Sequence, residues 1–391
     1  MRLLRLSPTP DSKDPLLLGI ADCIDADTNG ELRNADSTDI LLISNLNKIA
    51  GEKAAKNSDF RRAMGYLQTA LSLLPGDHWD AHHKFSIELH LSLAQCALAS
   101  SNLDLAKKSL REIISHGREL NDTLDAHFKL ILMTNLVKRK QGMALRSCME
   151  ILGRLGERVD SSGDSIAMLV RIRHNLNSRS DDELFNFKQL GASDSNSKRR
   201  LQFLSQACLI SAMGVDPKTN LYVLCRSVEI CLSEGYSQVR FFVEDQIRIT
   251  RLCFNSPMRF IKDTPFAFAV FGLVLCGRGK QLAEGKRLLR IAMKLYRERF
   301  NDPSQLSILS LVYYGFFAFV VLPLQKCAEK LREASIMSLG FGDVMMAIST
   351  SQQAVQVVAP PPYACKSHHF SSLPHFCLPR NRSTPGRSFP H

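Results

Sequence analysis

The 391-residue sequence has few of the residues that build an aromatic-rich β core or a disulfide scaffold. Phe, Trp and Tyr make up only 7% of the chain, with a single Trp, which favours helices over an all-β core. The 11 cysteines include no Cys-x-x-Cys pair. Six of them lie among apolar residues, as is typical of a reducing compartment: Cys23, Cys96, Cys148, Cys208, Cys225 and Cys231. The N-terminal segment also has no uninterrupted apolar stretch of a secretory signal, so we expect a cytoplasmic protein.

Catalytic motifs are also missing from the sequence. It contains no Gly-x-Ser-x-Gly nucleophile elbow and no protein-kinase signature. The nearest approach to a phosphate-binding loop is the segment 272–280, but neither the Lys nor the Ser or Thr that such a loop needs is in register. We interpret this segment as a turn between two helices. The sequence therefore predicts no catalytic residue, no cofactor and no enzymatic activity of this chain on its own.

Two groups of residues have the side chains of metal ligands without the full pattern. The run 25–30 resembles the start of a calcium-binding EF-hand loop, with Asp25, Asp27 and Asn29 as its first ligands. Asp36 rather than Glu takes the twelfth position, so a turn with a helix cap is the preferred interpretation. The densest group of histidines comprises His78, His82, His83 and His90. Because no His-Glu-x-x-His motif accompanies them, we expect surface and inter-helix histidines rather than a zinc site.

The net charge of the sequence is +12, and its basic residues are dispersed. Short basic clusters occur at 138–140 and 198–200, and such clusters can bind nucleic acid or an anionic membrane surface. No aromatic residues are interleaved with them, however. Because Lys and Arg also favour the C-terminal ends of helices, we expect solvated helix ends and no nucleic-acid partner.

One segment has the residue spacing of a helical hairpin of the tetratricopeptide (TPR) type. Its pattern is small, small, large, small and proline, at Gly51, Ala63, Leu67, Ala70 and Pro75. Small residues at these offsets let two antiparallel helices approach closely, the large residue fills the space between them, and the proline ends the second helix. Such a hairpin buries its apolar face only by stacking on neighbours.

The same spacing recurs twice along the sequence. It is found at Ala94, Ala106, Leu110 and Ile113, and in a weaker third copy at Leu132, Ala144, Cys148 and Ile151. The first residues of the three copies are 43 and 38 residues apart, more than in a regular TPR array. We therefore predict an all-α fold with helix over more than half of the chain, built as an array of lengthened antiparallel hairpins, or α-solenoid.

These patterns divide the sequence into four regions. Residues 1–37 form an N-terminal arm, 38–156 the TPR-like hairpins and 165–345 a second helical region, while 346–391 is a Pro-, Ser-, His- and Arg-rich tail that we expect to be disordered.

Within the second region, the segment 306–324 contains no charged residue, so a membrane span is an alternative to a buried helix. The Ser and Gly residues inside it and the lack of anchoring residues at both ends favour the buried helix.

The segment 46–114 consists of a helix with small residues, a short turn, a helix ending in Leu-Leu-Pro, and then Trp79 and a long helix. This pattern resembles the TPR-like helical region of large STAND/AAA-type signalling ATPases, which are often fused to protein-kinase or sensor histidine-kinase modules. Further matches lie at 264–277 and 311–319. The resemblance implies a non-catalytic protein-interaction module that acts in signal transduction.

The sequence departs from that family in ways that leave alternatives open. The ATPase domain that precedes the helical region in the family is not in this sequence, and the segment 238–263 interrupts the family pattern, which suggests a truncated gene product. One alternative is a regulatory part of an ATPase or kinase that is active only with a separate catalytic domain. Another is a helical protein attached to a membrane.

The first helix of each hairpin lines the concave groove of a TPR-like array, so the register also predicts a binding face. The ten predicted groove positions are Asn45, Lys48, Glu52, Lys56, Glu88, Leu91, Gln95, Lys129, Met133 and Lys140. Four of these are Lys and two are Glu, and Lys can hold a carboxylate as a point charge. We therefore predict a protein partner with an acidic segment, the alternative being that these lysines are ordinary solvated residues.

Overall fold

The computed structural model describes eleven segments of the chain: 21–22, 37–136, 140–157, 165–191, 194–211, 216–236, 263–277, 281–300, 303–318, 322–340 and 344–358. Helix accounts for 86% of these residues, which contain no β-strand. The prediction of an all-α array is therefore confirmed. The calcium-loop-like run 25–30, nearly all of the insertion 238–263 and the tail beyond residue 358 lie outside the described residues.

The described helices divide into two compact units. The first unit comprises the described residues up to Met133 and those of the short segment Ser338–Ala347, and the second contains the other described residues from Thr134 onward. Six helices build the first unit: α1 (Ser37–Lys56), α2 (Phe60–Leu73), the single turn α3 (His78–Ala81), α4 (His83–Ala99), α5 (Leu103–His116) and nearly all of α6 (Leu120–Leu136).

The first two hairpins of this unit are closed by the same turn. Ser58 and Ser101 both have a left-handed backbone, with φ of 66° and 58°, and the next residue caps the following helix. The Asp59 carboxylate accepts a hydrogen bond from the Arg62 amide, as the Asn102 side chain does from the Leu105 amide, each at 3.2 Å. These caps satisfy amide groups that the first turn of a helix otherwise leaves without a partner.

The helices α1 and α2 approach each other closely around Gly51. A methyl group added at Gly51 would lie 2.8 Å from Cγ of Leu67 and 3.2 Å from the carbonyl oxygen of Ala63. Ala63, Leu67 and Ala70 have no exposed surface, and the Ser44 hydroxyl donates a 2.9 Å hydrogen bond to the Ala70 carbonyl across the interface. This helix crossing therefore has no room for a larger residue than Gly at position 51.

The second hairpin is packed in the same way. Ala94, Ala106, Leu110 and Ile113 are all fully buried, in one apolar cluster formed by α4, α5 and α6. In the first hairpin, α2 ends at Leu73, and the exposed Pro75 follows two residues later. A proline at that point cannot continue the helix, because it has no amide hydrogen to donate.

The second unit is an array of neighbouring helix pairs. Its helices are α7 (Gln141–Arg154), α8 (Ser165–Asn177), α9 (Asp181–Phe185), α10 (Ser195–Ile210), α11 (Pro217–Ser233), α12 (Asp263–Gly277), α13 (Leu282–Lys294), α14 (Pro303–Ser310), α15 (Leu324–Gly340) and α16 (Val344–Val358). Two of them continue as π-helical segments, α13 through Leu295–Phe300 and α14 through Leu311–Gly315. The packing runs from α7 to α10, then α11, α12 and α13.

Three of the four residues in the third copy of the repeat spacing belong to the second unit. Ala144, Cys148 and Ile151 of α7 are buried, and the Cys148 thiol donates a 3.1 Å hydrogen bond to the Phe203 carbonyl of α10. Burial raises the pKa of this thiol. The small and apolar residues of this copy therefore build the contact between α7 and α10.

The glycines of the segment 272–280 have a packing role in this structure. Gly272 lies inside α12 and faces Gly285 of α13, and a methyl group added at Gly285 would lie 2.4 Å from the Gly272 carbonyl oxygen. Gly272 therefore allows two helices to cross with their backbones almost in contact, rather than opening a phosphate-binding loop. The residues 278–280 lie outside the described part of the chain.

No helix in the described part of the chain is long and apolar enough to cross a bilayer. The uncharged segment 306–324 begins in α14, changes to π-helix at Leu311 and leaves that conformation after Gly315. Its residues 319–321 lie outside the described part. Val312 and Phe317 are buried, and Ser307 donates a hydrogen bond to the Ala334 carbonyl.

Candidate functional site

The predicted groove of the first unit contains one ion-paired group. The Lys48 ammonium of α1 pairs with the Glu88 carboxylate of α4 and lies 3.9 Å from the Glu52 carboxylate. It also lies 5.5 Å from the centre of the Phe85 ring. Lys48 therefore connects the first helices of two successive hairpins, and two carboxylates already compensate its charge.

The other predicted positions have different environments. Asn45 lies on α1, Leu91 and Gln95 lie on α4, and all three are half-buried. Lys56 is exposed at the end of α1. Lys129 retains only 8% of its surface and is buried on α6. The structure thus brings Lys48, Glu52 and Glu88 together, and Lys129 is not an exposed cation.

Two predicted groove positions are wrong. Met133 is 6% exposed and packs into the apolar cluster of α4, α5 and α6, because that side of α6 faces the core. Lys140 does not lie on a first helix at all, because α6 ends at Leu136 and Lys140 directly precedes α7, where it is exposed. The predicted excess of positive charge in the groove is therefore not present.

A second group of side chains surrounds Trp79, the only tryptophan of the chain. The indole is stacked between His90 and His116, with ring centroids 5.1 and 4.5 Å away and interplanar angles of 13° and 2°. His78 lies tilted against it at 5.2 Å, and His83 meets its edge at 6.1 Å. We call these five residues the Trp79 cluster. It joins the single turn α3 to α4 and to the end of α5.

Hydrogen bonds attach the same cluster to the start of α6. His83 Nε2 lies 3.0 Å from the Asp122 carboxylate, and His83 Nδ1 lies 3.2 Å from the Trp79 carbonyl oxygen. The Asp122 carboxylate also accepts hydrogen bonds from the backbone amides of Arg118 and Glu119, each at 3.1 Å. The hydrogen bond with His83 and these two amides lower the pKa of Asp122.

Two histidines of the cluster, His78 and His90, have lowered pKa values. Burial lowers the pKa of His90 to about 4, and the neighbouring His78, His116 and Lys108 add to the shift. His90 Nδ1 has no hydrogen-bond partner among the described residues. The pKa of His78 is also lowered, mainly by burial and secondly by electrostatic repulsion from His116. The surroundings of His78 and His90 therefore favour their neutral forms.

Sequence reasoning found only part of this cluster. It singled out His78, His83 and His90 by their proximity along the chain, together with His82, which does not stack on Trp79. It missed His116, because a contact across 37 residues leaves no local signal. In the part of the chain that the structure describes, no three His, Cys, Asp or Glu side chains are arranged to hold a metal ion.

The second unit contains a buried ion network that the sequence did not indicate. Glu157, whose side chain is 2% exposed, accepts hydrogen bonds from Arg226 at 2.7 Å and from Arg200. Burial alone would raise the pKa of Glu157, but the two guanidinium groups lower it below its ordinary value. Arg200 also binds Glu234 at 3.0 Å, and Arg226 binds Glu229 at 2.7 Å. Every charge of this network is paired, which is typical of a structural site.

No protein-family model matches this chain, and no curated protein does either. The groove, the Trp79 cluster and the ion network are the arrangements that can carry a functional interpretation. In the Trp79 cluster, His78 Nδ1 lies 2.8 Å from the Ser86 hydroxyl, but Ser86 is fully buried and its hydroxyl also donates to the backbone carbonyls of His78 and His82. Covalent catalysis requires a nucleophile that a substrate can reach, and this serine is closed off from solvent.

Proposed function

We propose that this chain is a non-catalytic helical-repeat module that binds other proteins through the groove of its first unit. The observation that carries the proposal is the contact of Lys48 on α1 with Glu88 on α4. It places the first helices of two successive hairpins side by side, so that their outer residues form one surface. Repeat proteins bind their partners on surfaces of this kind.

The residues along this surface suit a polypeptide ligand. Asn45 and Gln95 are half-buried and carry amides that can donate and accept hydrogen bonds with a peptide backbone. Leu91 and Phe85 are also half-buried, and each offers apolar surface to a ligand. Since Lys48 is already paired with Glu88, the partner at this surface is recognised by amide hydrogen bonds and apolar side chains rather than by an acidic segment alone.

The wider role follows from the resemblance to signalling ATPases. In that family the helical region accompanies catalytic modules, so we propose that the chain acts in signal transduction beside an ATPase or kinase partner. The absence of a complete phosphate-binding motif at 272–280 predicts that the chain does not bind ATP tightly by itself. Isothermal calorimetry with ATP and Mg²⁺ tests this point, and saturable micromolar binding would contradict it.

A pull-down with two matched variants tests the groove. We expect the double variant Asn45→Arg/Gln95→Arg to lose the partners that the wild-type chain retains, because two bulky cations would obstruct the surface. The control is Gln68→Arg, which adds a cation to an exposed position on α2. Recovery of the same partners by the wild type, the groove variant and the control would show that the groove is not the binding site.

A further inference from the structure

A row of cations follows one side of α13 and the π-helical segment that continues it. Lys286, Arg290, Lys294 and Arg297 are separated by four, four and three residues, which places them on one face of a helix. Arg290, Lys294 and Arg297 are exposed, and Lys286 is half-buried. The row therefore presents several positive charges to solvent along roughly 16 Å of helix.

Most other charged groups of this segment are already engaged, the exposed Glu298 being the exception. Arg287 donates a hydrogen bond to the Leu176 carbonyl at 3.0 Å, and Arg299 donates to the carbonyls of Phe185 and Phe187 at 2.6 and 2.9 Å. The Arg173 guanidinium donates two hydrogen bonds to the Glu284 carboxylate, from Nε and Nη2, each at 2.6 Å. Glu284 thus cannot neutralise the row, and among the residues that the structure describes, Glu298, which directly follows Arg297, forms no ion pair with a cation of the row within 4.0 Å.

The cations of the row have no such carboxylate or carbonyl partner in the described part of the chain. Among the described residues, no carboxylate lies within 4.0 Å of Lys286, Arg290 or Arg297. Lys294 instead lies over the Phe185 ring, with its ammonium 4.3 Å from the ring centre. Like charges repel one another when they are this closely spaced. A surface that keeps them together without compensation is therefore suited to receive an anion.

Two tyrosines stand beside this row. Tyr313 and Tyr314 belong to the second π-helical segment and meet edge to face at 4.9 Å, both half-buried. Burial raises the pKa of Tyr313, while the nearby Arg290 and Arg297 oppose that shift. Their phenol groups add hydrogen-bond donors to the cations. Both π-helical segments of the described chain thus contribute to one surface, and such segments often occur at functional sites.

We propose that this cationic surface, formed by Lys286, Arg290, Lys294, Arg297, Tyr313 and Tyr314, is a docking site for an acidic segment of a partner protein. Cations four residues apart on a helix are separated by about 6 Å, and alternate side chains of an extended peptide by about 6.7 Å. A segment with Asp or Glu at every second position therefore matches the row. Arginine binds carboxylates with two parallel hydrogen bonds, which gives the contact its geometry.

The inference rests on the proposed function, because both assign protein binding to this chain, but it uses a different surface. It also gives the predicted acidic partner a site that the groove lacks. Lys48 is neutralised by Glu88 and Glu52, whereas Arg290 and Arg297 have no carboxylate within ion-pair distance in the described part of the chain.

Fluorescence anisotropy with the full chain and a labelled 12-residue peptide of alternating Glu and Ser tests the proposal. We expect the double variant Arg290→Gln/Arg297→Gln to bind this peptide at least about tenfold more weakly than the wild type. The control is Arg61→Gln/Arg111→Gln, which removes the same charge from exposed positions on α2 and α5 and should change the affinity less than about twofold. Circular dichroism melting shows whether each variant is folded.

Three outcomes would overturn the proposal. One is no binding of the Glu-Ser peptide to the wild-type chain, and another is an equal loss in both double variants, which would indicate general charge attraction. The third is tighter binding of a 12-nucleotide oligo-dT or of phosphatidylserine vesicles than of the peptide. The groove variant Asn45→Arg/Gln95→Arg should bind the Glu-Ser peptide as the wild type does. Failure of this surface and failure of the groove are therefore distinguishable.

Discussion

Acidification from pH 7 to pH 5 should destabilise the first unit through the buried His90 of the Trp79 cluster. The pKa of His90 is lowered from 6.5 to about 4 in the folded state. The unfolded chain therefore binds a proton at His90 at a pH where the folded chain does not. Where the unfolded state binds more protons than the folded state, the free energy of unfolding decreases as the pH falls. This loss therefore occurs between about pH 6.5 and about pH 4.

The size of this effect follows from the two pKa values. The full difference of about 2.5 pH units corresponds to about 3 kcal/mol. About 2 kcal/mol of that loss falls between pH 7 and pH 5, where the unfolded His90 has become charged and the folded one has not. The lowered pKa of Asp122 affects the free energy of unfolding only at more acidic pH, near and below the ordinary pKa of 3.8 for this carboxyl group.

Urea unfolding at pH 7, 6 and 5 measures this loss directly. Trp79 is the only tryptophan, so its fluorescence reports on the cluster itself. We expect His90→Gln to remove a large part of the pH dependence, since glutamine does not titrate, while the contribution of His78 remains. The control is His174→Gln on the exposed face of α8, which should retain the pH dependence of the wild type. An equal fall in stability for the wild type and His90→Gln would refute the reasoning.

Three further predictions concern packing and the ion network. Gly51→Ala should lower the free energy of unfolding by about 1–2 kcal/mol through overpacking, whereas Gly65→Ala, with open space around it, should raise it by about 0.5–1 kcal/mol. Gly285→Ala should cost about 3 kcal/mol or more, because α12 must move, and Gly153→Ala serves as its exposed control. Glu157→Gln should cost about 1.5–3 kcal/mol, because Arg200 and Arg226 keep Glu234 and Glu229 but lose their charge-assisted hydrogen bonds to the buried carboxylate. Urea unfolding measures all three, and unchanged midpoints would contradict them.

Residue size and spacing carry the part of this fold that sequence reasoning reaches well. The small residues Gly51, Ala63 and Ala70 stand where two helices need to approach, and each is buried in the first hairpin. These positions depend only on contacts within about 25 residues of chain, where helical periodicity is a reliable guide. The all-α class follows from the same periodicity.

The groove is harder to place from spacing alone. Each residue turns the helix face by about 100°, so a small error in the repeat register moves a side chain from the groove to the core. Met133 shows this on α6. Lys140 shows the related error of misplacing a helix end, since α6 stops at Leu136.

The long-range contacts could not be predicted for a different reason. Trp79 and His116 meet face to face, and Glu157 binds Arg200 and Arg226, through chain separations of 37 to 69 residues. The local sequence pattern does not indicate which of the many charged or aromatic residues will be in contact in the folded chain. The two π-helical segments are equally hidden, because a shift of one hydrogen-bond register has no compositional signature.

The shared turn at Ser58 and Ser101 has a consequence for how this unit folds and changes over evolutionary time. In both hairpins, the residue after the left-handed serine donates its amide to a carbonyl five positions back, Asp59 to Ala54 and Asn102 to Ala97. Each hairpin is thus closed by interactions that are short in sequence. Low contact order of this kind gives rapid folding, so each hairpin can form before its neighbour is complete. A unit assembled from such locally closed pieces can gain or lose a hairpin by duplication or deletion, provided that the new neighbours still cover each other's apolar faces.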